Sequence, residues 1–466
     1  MVLTDILAVK RQTVTARKIQ RPLAGFRQQL QPSRRDFHAA LAAKRSGFIL
    51  ECKQASPSKG LLRRNFNPES IARTYTPFAD AISVLTDEPF FRGSLEHLQV
   101  VSQTVDLPIL CKDFIIDPYQ VFEARYYGAD AILLMLSVVD DKLYNRCAAV
   151  AESLEMDVLT EVHTEDELAR AVQLSANIIG INNRNLATLQ VDMSVTVKLA
   201  PQVPRNCLLV CESGIDSHSQ VRRLAHQVDA FLVGSALMLE PELRRATTTL
   251  INGRVKVCGL TRVHDAQVVY RHGATHGGLI FARQSPRQVS LSQAKDLVNV
   301  VDLNWVGVFA NDELETVARY ADELCLTAVQ LHGIENNEYI QQLRGQLRPD
   351  IEIWQALPVS KALPELRSKA VDRILFDTID NGRHGGTGKS FDWNLLHNNP
   401  YRAELILSGG IGPQNVAQAN ALDCWGLDVN SGLEDKPGIK STEKITALFE
   451  QLRGAGRTTN TREAVA

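Results

Sequence analysis

FILECKQASPSKG, residues 48–60, opens as an unbroken apolar run and ends in charge. Phe48, Ile49 and Leu50 lack the apolar-polar alternation of a half-exposed strand, which marks a parallel strand covered on both faces. Glu51 and Lys53 lie two residues apart and share one strand face, with Cys52 on the other. Runs of this kind recur along the chain with amphipathic helical stretches between them, the pattern of βα units. In the first half, strands are predicted near 48–52, 81–85, 109–112, 131–136, 158–162, 178–182, 208–212 and 230–233. In the second they fall near 255–258, 278–281, 305–309, 328–331, 352–356, 373–377, 404–407 and 426–429. The expected fold is α/β, two (β/α)8 TIM barrels in tandem. An open doubly wound sheet predicts similar runs, but eight strands per half and glycines after the last two strands of each half favour closure.

The length of 466 residues suits two cores rather than one. Asn252-Gly253 marks the seam, giving a first barrel over 1–253, a second over 254–452 and a disordered tail over 453–466. Residues 1 to about 45 form a basic, mainly helical extension carrying Lys10, Arg11, Arg17 and Lys18, placed to cap the first barrel's mouth. With 51 basic and 53 acidic side chains the net charge is −2, so no overall field recruits nucleic acid or an anionic membrane. Small molecules are the expected partners, bound by a monomer. The eight cysteines include no CxxC pair, and most sit in or beside apolar runs. That pattern predicts free thiols, no structural metal and a cytoplasmic location. The N-terminus MVLTDILAVKRQ lacks the apolar core of a signal peptide, and no apolar run is long enough to span a membrane.

In the first half, charged residues gather at strand ends. Glu51 and Lys53 are joined by Lys112 in ILCKDF, Glu161 in LTEVH, Asn182 and Arg184 in GINNRN, and Glu212 with Ser213 in ESGI. A single Glu-Lys pair fits a rim salt bridge equally well. Five such ends converging on one barrel mouth would bury lysines and carboxylates at a cost that structure alone does not repay. Gly214 after Ser213, and Gly234 with Ser235, fit a phosphate site in which backbone amides and a helix N-terminus face the anion. Ser56 is placed to add a hydroxyl.

ECKQASPSKG, ISVLTDEPFFRGS, ILCKDFIIDPYQ, LLMLS, LTEVH, GINNRN and ESGI, in this order, resemble indole-3-glycerol-phosphate synthase over about residues 1–250. The resemblance implies closure of a carboxyphenylamino-deoxyribulose phosphate to an indole with loss of carbon dioxide and water. It makes Lys112 the general acid at the substrate carbonyl and Glu161 a stabiliser of positive charge or a base. Glu51 and Lys53 then share the remaining proton transfers, with their division left open. Asn182, Arg184, Glu212 and Ser213 orient the substrate. Phe91, Phe114 and Leu133 either pack on its aromatic ring or belong to the core. Asn185 stands where the family usually carries Asp, which bears on the support of Arg184.

In the second half, VKVCG ends in Cys258. A strand cysteine is more often core, yet a thiol at a barrel mouth becomes a base when its thiolate is stabilised. Asp377 ends RILFD, where it suits an acid or a helix cap. Gly386, Thr387 and Gly388 lie in GGTGKSFDW, and SGGIG and DVNSG follow the last two strands. KVCGLT, GGLIF with SPR, VQLHG, FDT with GGTGKSFDW, LSGGI and DVNSG resemble phosphoribosylanthranilate isomerase over about residues 254–452. The resemblance implies an Amadori rearrangement in which Asp377 protonates the furanose oxygen and Cys258 removes the C2 proton. It also implies that Arg287 binds the anthranilate carboxylate, that Gln330 and His332 line the pocket, and that Gly409, Gly410, Asn430, Ser431 and Gly432 hold the phosphate. Asp380 competes with Asp377 for the acid's place.

Two other readings remain open. A catalytically silent phosphate-binding scaffold would show replaced acids and bases, and all of those named are present. A histidine-pathway type of isomerase would, by resemblance, carry two catalytic aspartates in place of the Cys-Asp pair, so Cys258 speaks against it.

Overall fold

A computed structural model describes residues 2–42, 45–360, 362–364, 368–380, 383–384, 390–396, 399–454 and 457, without the side chains of residue 2 and of residues 379–384. The chain forms two compact units, Met1–Thr247 with Gly454–Ala466, and Thr248–Arg453.

In the first unit, eight parallel strands close into a barrel. They are β1 (Gly47–Cys52), β2 (Ala81–Leu85), β3 (Ile109–Lys112), β4 (Ala131–Met135), β5 (Asp157–Val162), β6 (Ile178–Asn182), β7 (Leu208–Glu212) and β8 (Ala230–Val233). β8 returns to β1 with Gly47 opposite Ala230. Ile49, Ala81, Leu110, Leu133, Leu159 and Leu232 share one buried cluster. Asp80, Asp130 and Asp229 each precede an Ala-initiated strand, and each accepts a hydrogen bond from the first amides of a neighbouring strand, at Phe48, Ile109 and Leu209 (2.8–2.9 Å). These three carboxylates fix the register at the strand entrances.

The N-terminal extension begins with α1 (Val2–Gln20). Its Lys10 is only 2% exposed and bridges Asp87 at 2.6 Å and Asp113 at 2.5 Å. Asp87 follows β2 and Asp113 follows β3, so this one ammonium pins the helix over the C-terminal ends of the strands. Burial alone would lower the Lys10 pKa, but the two carboxylates outweigh it and raise it. Beyond the second unit, Arg457 turns back onto the first, donating to the carbonyls of Val203, Pro204 and Cys207. Residues 455–456 and 458–466, most of the tail expected to be disordered, lie outside the described residues.

The second unit carries β9 (Val255–Val257), β10 (His276–Ile280), β11 (Asn304–Phe309), β12 (Ala328–Leu331), β13 (Glu352–Val359), β14 (Arg373–Asp380), β15 (Leu405–Leu407) and β16 (Gly426–Val429). Parallel pairing of β9 with β16 and of β13 with β14 completes its ring. Both β13 and β14 run beyond their predicted ends. β14 does so because its last residues pair antiparallel with residues 383–384, a hairpin that the glycine-rich sequence does not announce. Cys258 sits one residue past β9, its amide donating to the Val429 carbonyl at 2.8 Å.

Lys10→Met should cost about 3–5 kcal/mol, because it leaves two buried carboxylates without their cation. Urea unfolding reports this directly, and a loss under about 1 kcal/mol would show that the helix is held by other contacts.

Candidate active sites

The mouth of the first barrel holds a cavity of about 570 Å³. Glu51, Lys53, Ser56, Phe91, Lys112, Phe114, Glu161, Asn182, Arg184, Ser213, Gly214, Gly234 and Ser235 all border it. Two of the expected contacts do not. Leu133 is fully buried in the barrel's apolar cluster. Glu212, also fully buried, stands behind Lys112 and receives its ammonium at 2.9 Å.

Glycines make this charge layer possible. A Cβ on Gly180 would lie 2.0 Å from Glu212 Oε1, and one on Gly234 2.1 Å from Glu51 Oε1. With that space open, Lys112 reaches Glu212 and approaches Glu51 at 3.8 Å, and Lys53 forms a close ion pair with Glu51. Burial pushes the Glu51 carboxyl up, but Lys53, Lys112 and Arg184 outweigh it and hold it below the usual carboxylate range. Burial likewise works against the Lys112 charge, and Glu212, Glu51 and Glu161 reverse that effect, raising its pKa. Glu161 moves the other way. Burial and the neighbouring Glu212 push it up to about 7, against the pull of Lys112 and a hydrogen bond with Asn182.

The Asn182 carboxamide oxygen accepts the Arg184 amide at 2.9 Å, and the Arg184 guanidinium donates to the Leu189 carbonyl at 2.7 Å. Asn185 answers the question raised by its departure from the family pattern: its side chain accepts the amides of Ala187 and Thr188 and so shapes the turn that presents Leu189. Ser213 and Gly214 both have positive φ, 63° and 86°, costly for the serine and ordinary for the glycine, and both border the cavity. Leu3 and Ile6 of α1, with Leu186, Val191 and Met193, complete the wall. Sequence reading missed them because nothing marks an apolar residue in a loop or a helix as facing a substrate rather than a core.

In the second barrel, Cys258 is 4% exposed, and Gly278 leaves room for it, since a Cβ there would lie 2.7 Å from Sγ. Lys256, two residues earlier on the same face, is the organising charge. Its ammonium donates to both oxygens of Asp428 at 3.0 Å and to Gln330 Oε1 at 2.9 Å, and its charge favours the Cys258 thiolate. Burial raises the thiol pKa, Lys256 and Lys440 lower it, and Asp428 raises it, for a net rise. Across the mouth, Gln330 Nε2 meets His332 Nδ1 at 3.1 Å, and His332 Nε2 faces Asp377 Oδ2 at 3.5 Å. His332, Asp377 and Thr378 border a small recess.

Arg287 grips Glu434 through Nε and Nη2 at 2.7–3.0 Å, and Lys440 joins Glu434 at 3.0 Å and Asn430 Oδ1 at 2.9 Å. Gly409 and Gly410 have consecutive positive φ, 89° and 64°, and a Cβ on Gly432 would sit 2.1 Å from the Ile411 carbonyl. Ser431 and Gly432 open a short 3-10 turn. Gly386, Thr387 and Gly388 lie outside the described residues, as does the side chain of Asp380. Lys256 and Asp428 were missed, although each is a charge inside an otherwise apolar strand, which was signal enough.

Paired strand-end acids and bases over glycine-rich turns, in two closed parallel barrels, define a double-barrelled enzyme acting on small phosphorylated substrates. Family profiles agree: one described as Indole-3-glycerol phosphate synthase matches residues 3–250, and one described as N-(5'phosphoribosyl)anthranilate (PRA) isomerase matches residues 255–451. A protein of Yersinia pestis named Tryptophan biosynthesis protein TrpCF is 50% identical over 97% of this chain and 94% of its own. Proteins of the same name from Salmonella typhi, at 49% over 97% and 99%, and Vibrio cholerae, at 50% over 97% and 96%, are similar to it as well. The chain belongs to the family of bifunctional tryptophan-biosynthesis enzymes that join these two activities.

Gly234→Ala should drive the Glu51 carboxylate from its place. Misplacement of about 1 Å costs on the order of 10²-fold in rate, so the variant's indole glycerol phosphate formation should fall by about that factor. Unchanged kcat would show that Glu51 need not sit there.

Proposed function

We propose that the second barrel opens and isomerises N-(5-phosphoribosyl)anthranilate with Asp377 as acid and Cys258 as base, and that the first cyclises the product with Lys112 as acid. In the second barrel, a proton from Asp377 to the furanose oxygen breaks the ring C–O bond and leaves an imine. Cys258 takes the C2 proton, and the resulting enolamine becomes the ketone, 1-(2-carboxyphenylamino)-1-deoxyribulose 5-phosphate. In the first barrel, the aryl carbon bearing the carboxylate attacks that ketone while Lys112 protonates its oxygen. Glu161 supports the positive charge left on the ring system until carbon dioxide departs. Glu51 and Lys53 then serve loss of water and rearomatisation to indole-3-glycerol phosphate.

The observation that carries this reading is the seating of Lys112 among Glu51, Glu161 and Glu212, which holds an ammonium in a substrate-sized cavity. Every step is a proton transfer, a bond cleavage or the one carbon–carbon bond formation that Lys112 assists, so the reading needs no metal or redox cofactor. Phosphate is assigned to Gly214, Gly234 and Ser235 in one barrel and to Gly386, Thr387, Gly388, Gly409, Gly410, Asn430, Ser431 and Gly432 in the other. Arg287 is assigned to the anthranilate carboxylate, for which it would exchange its grip on Glu434. The functional boundary lies at residues 253 and 254. The same reading makes the chain a cytoplasmic monomer, its location supported by eight free cysteines.

Lys112→Ala should lower indole formation by about 10³-fold or more and leave isomerisation intact, while Cys258→Ala should do the reverse. Loss of both activities in either variant would end the two-site account. Asp377→Asn should abolish isomerisation and Asp380→Asn should not. Since Glu161 ionises at about 7, the first activity should rise as pH increases through neutrality. Glu161→Gln should flatten that limb in a plot of kcat against pH.

A further inference from the structure

Hydrogen-bond accounting in the second barrel fixes more than position. The Lys256 ammonium has three protons and no lone pair, so the Gln330 amide atom 2.9 Å from it must be the oxygen. The other end of that amide is then the NH2 group, which can only donate, and it faces His332 Nδ1 at 3.1 Å. Nδ1 must therefore carry a lone pair, and the single ring proton belongs on Nε2, facing Asp377 Oδ2 at 3.5 Å. An imidazolium would set a donor against a donor at Gln330.

We propose that Lys256, acting through Gln330, holds His332 as the neutral Nε2–H imidazole, and that this lets Asp377 keep the proton it delivers to the ribose ring oxygen. A cation in van der Waals reach of Asp377 would favour its carboxylate and drain the acid. The charges that bear on His332 pull in opposite directions. Asp377 on β14 and Asp428 on β16 are the carboxylates around the ring, and Lys256 on β9 is the cation behind Gln330. The fixed amide settles the balance. Lys256 is thereby a positioning residue with two outputs, the thiol of the base and the tautomer beside the acid, and Gln330 is the part that transmits the second.

The inference rests on Asp377 as the acid, but its first test does not. In the full chain labelled with 15N-histidine, the His332 signals are identified by their loss in His332→Asn. Nδ1 should appear unprotonated and Nε2 protonated across the neutral range. An Nδ1–H tautomer, or an imidazolium, at neutral pH overturns the proposal. Gln330→Glu supplies an acceptor to Nδ1, so His332 should become an imidazolium. The isomerase kcat should then fall about tenfold, with the high-pH limb of its profile, where Asp377 loses its proton, moved down by about one pH unit, while indole glycerol phosphate formation is unchanged. A neutral His332 or an unmoved high-pH limb in this variant also overturns it. Failure of the acid assignment reads separately, as isomerisation retained in Asp377→Asn.

Discussion

Each barrel mouth is organised by a lysine, fully buried in the second and largely so in the first, that must be neutralised from other strands. Lys112 on β3 is held by Glu212 on β7 and Glu51 on β1; Lys256 on β9 is held by Asp428 on β16. A lone ammonium at such depth would shed its proton or unfold the site, since breaking a buried pair costs about 3–5 kcal/mol. Once those pairs exist, the surrounding geometry is constrained. Gly180 and Gly234 must lack side chains to admit the carboxylates, and Gly278 must lack one to admit Cys258. The groups meant to move protons are then left at the cavity wall with perturbed protonation, Glu161 pushed up and Glu51 pulled down within one mouth. Two carboxylates of one kind thus acquire different tasks from their neighbours alone.

The two mouths solve the same problem with different chemistry. In the first, the lysine borders the cavity and is itself the acid. In the second, the lysine is withdrawn behind the reacting groups and acts on them through contacts, steadying a thiol on one side and a glutamine on the other. This difference suits the reactions. Ring closure needs a strong cation at a carbonyl, whereas the Amadori step needs an acid and a base held apart and protected from each other's charge.

Much of this was legible in the chain. Unbroken apolar runs such as Ile109–Cys111 gave the parallel strands, and polar or charged residues at five strand ends of the first half gave the mouth, because a barrel sends successive strand ends to one place. Glu51 and Lys53 were placed on one face by two-residue spacing and Cys258 at the end of its strand, whereas Asp377, read as a strand end, lies three residues inside a strand that runs on to Asp380. Other features escaped for definite physical reasons. Lys10 looked like part of a solvated basic extension, since nothing local reveals that Asp87 and Asp113 wait for it across the fold. Leu133 looked like a wall residue because strand alternation fixes the face but not the depth. Glu212 was placed among substrate-orienting groups, whereas it lies one layer behind, holding Lys112. Arg287 was read as open to a carboxylate, and its pairing with Glu434 depends on a residue 147 positions away.

The central claim is that one chain carries two complete and separable sites acting in sequence. The most direct measurement mixes the Lys112→Ala and Cys258→Ala chains in equal amounts and supplies N-(5-phosphoribosyl)anthranilate. The account predicts that indole-3-glycerol phosphate appears, since the first variant makes the intermediate and the second consumes it after diffusion through solution. A mixture that stays inactive, although each chain alone retains its own half-reaction, would contradict it.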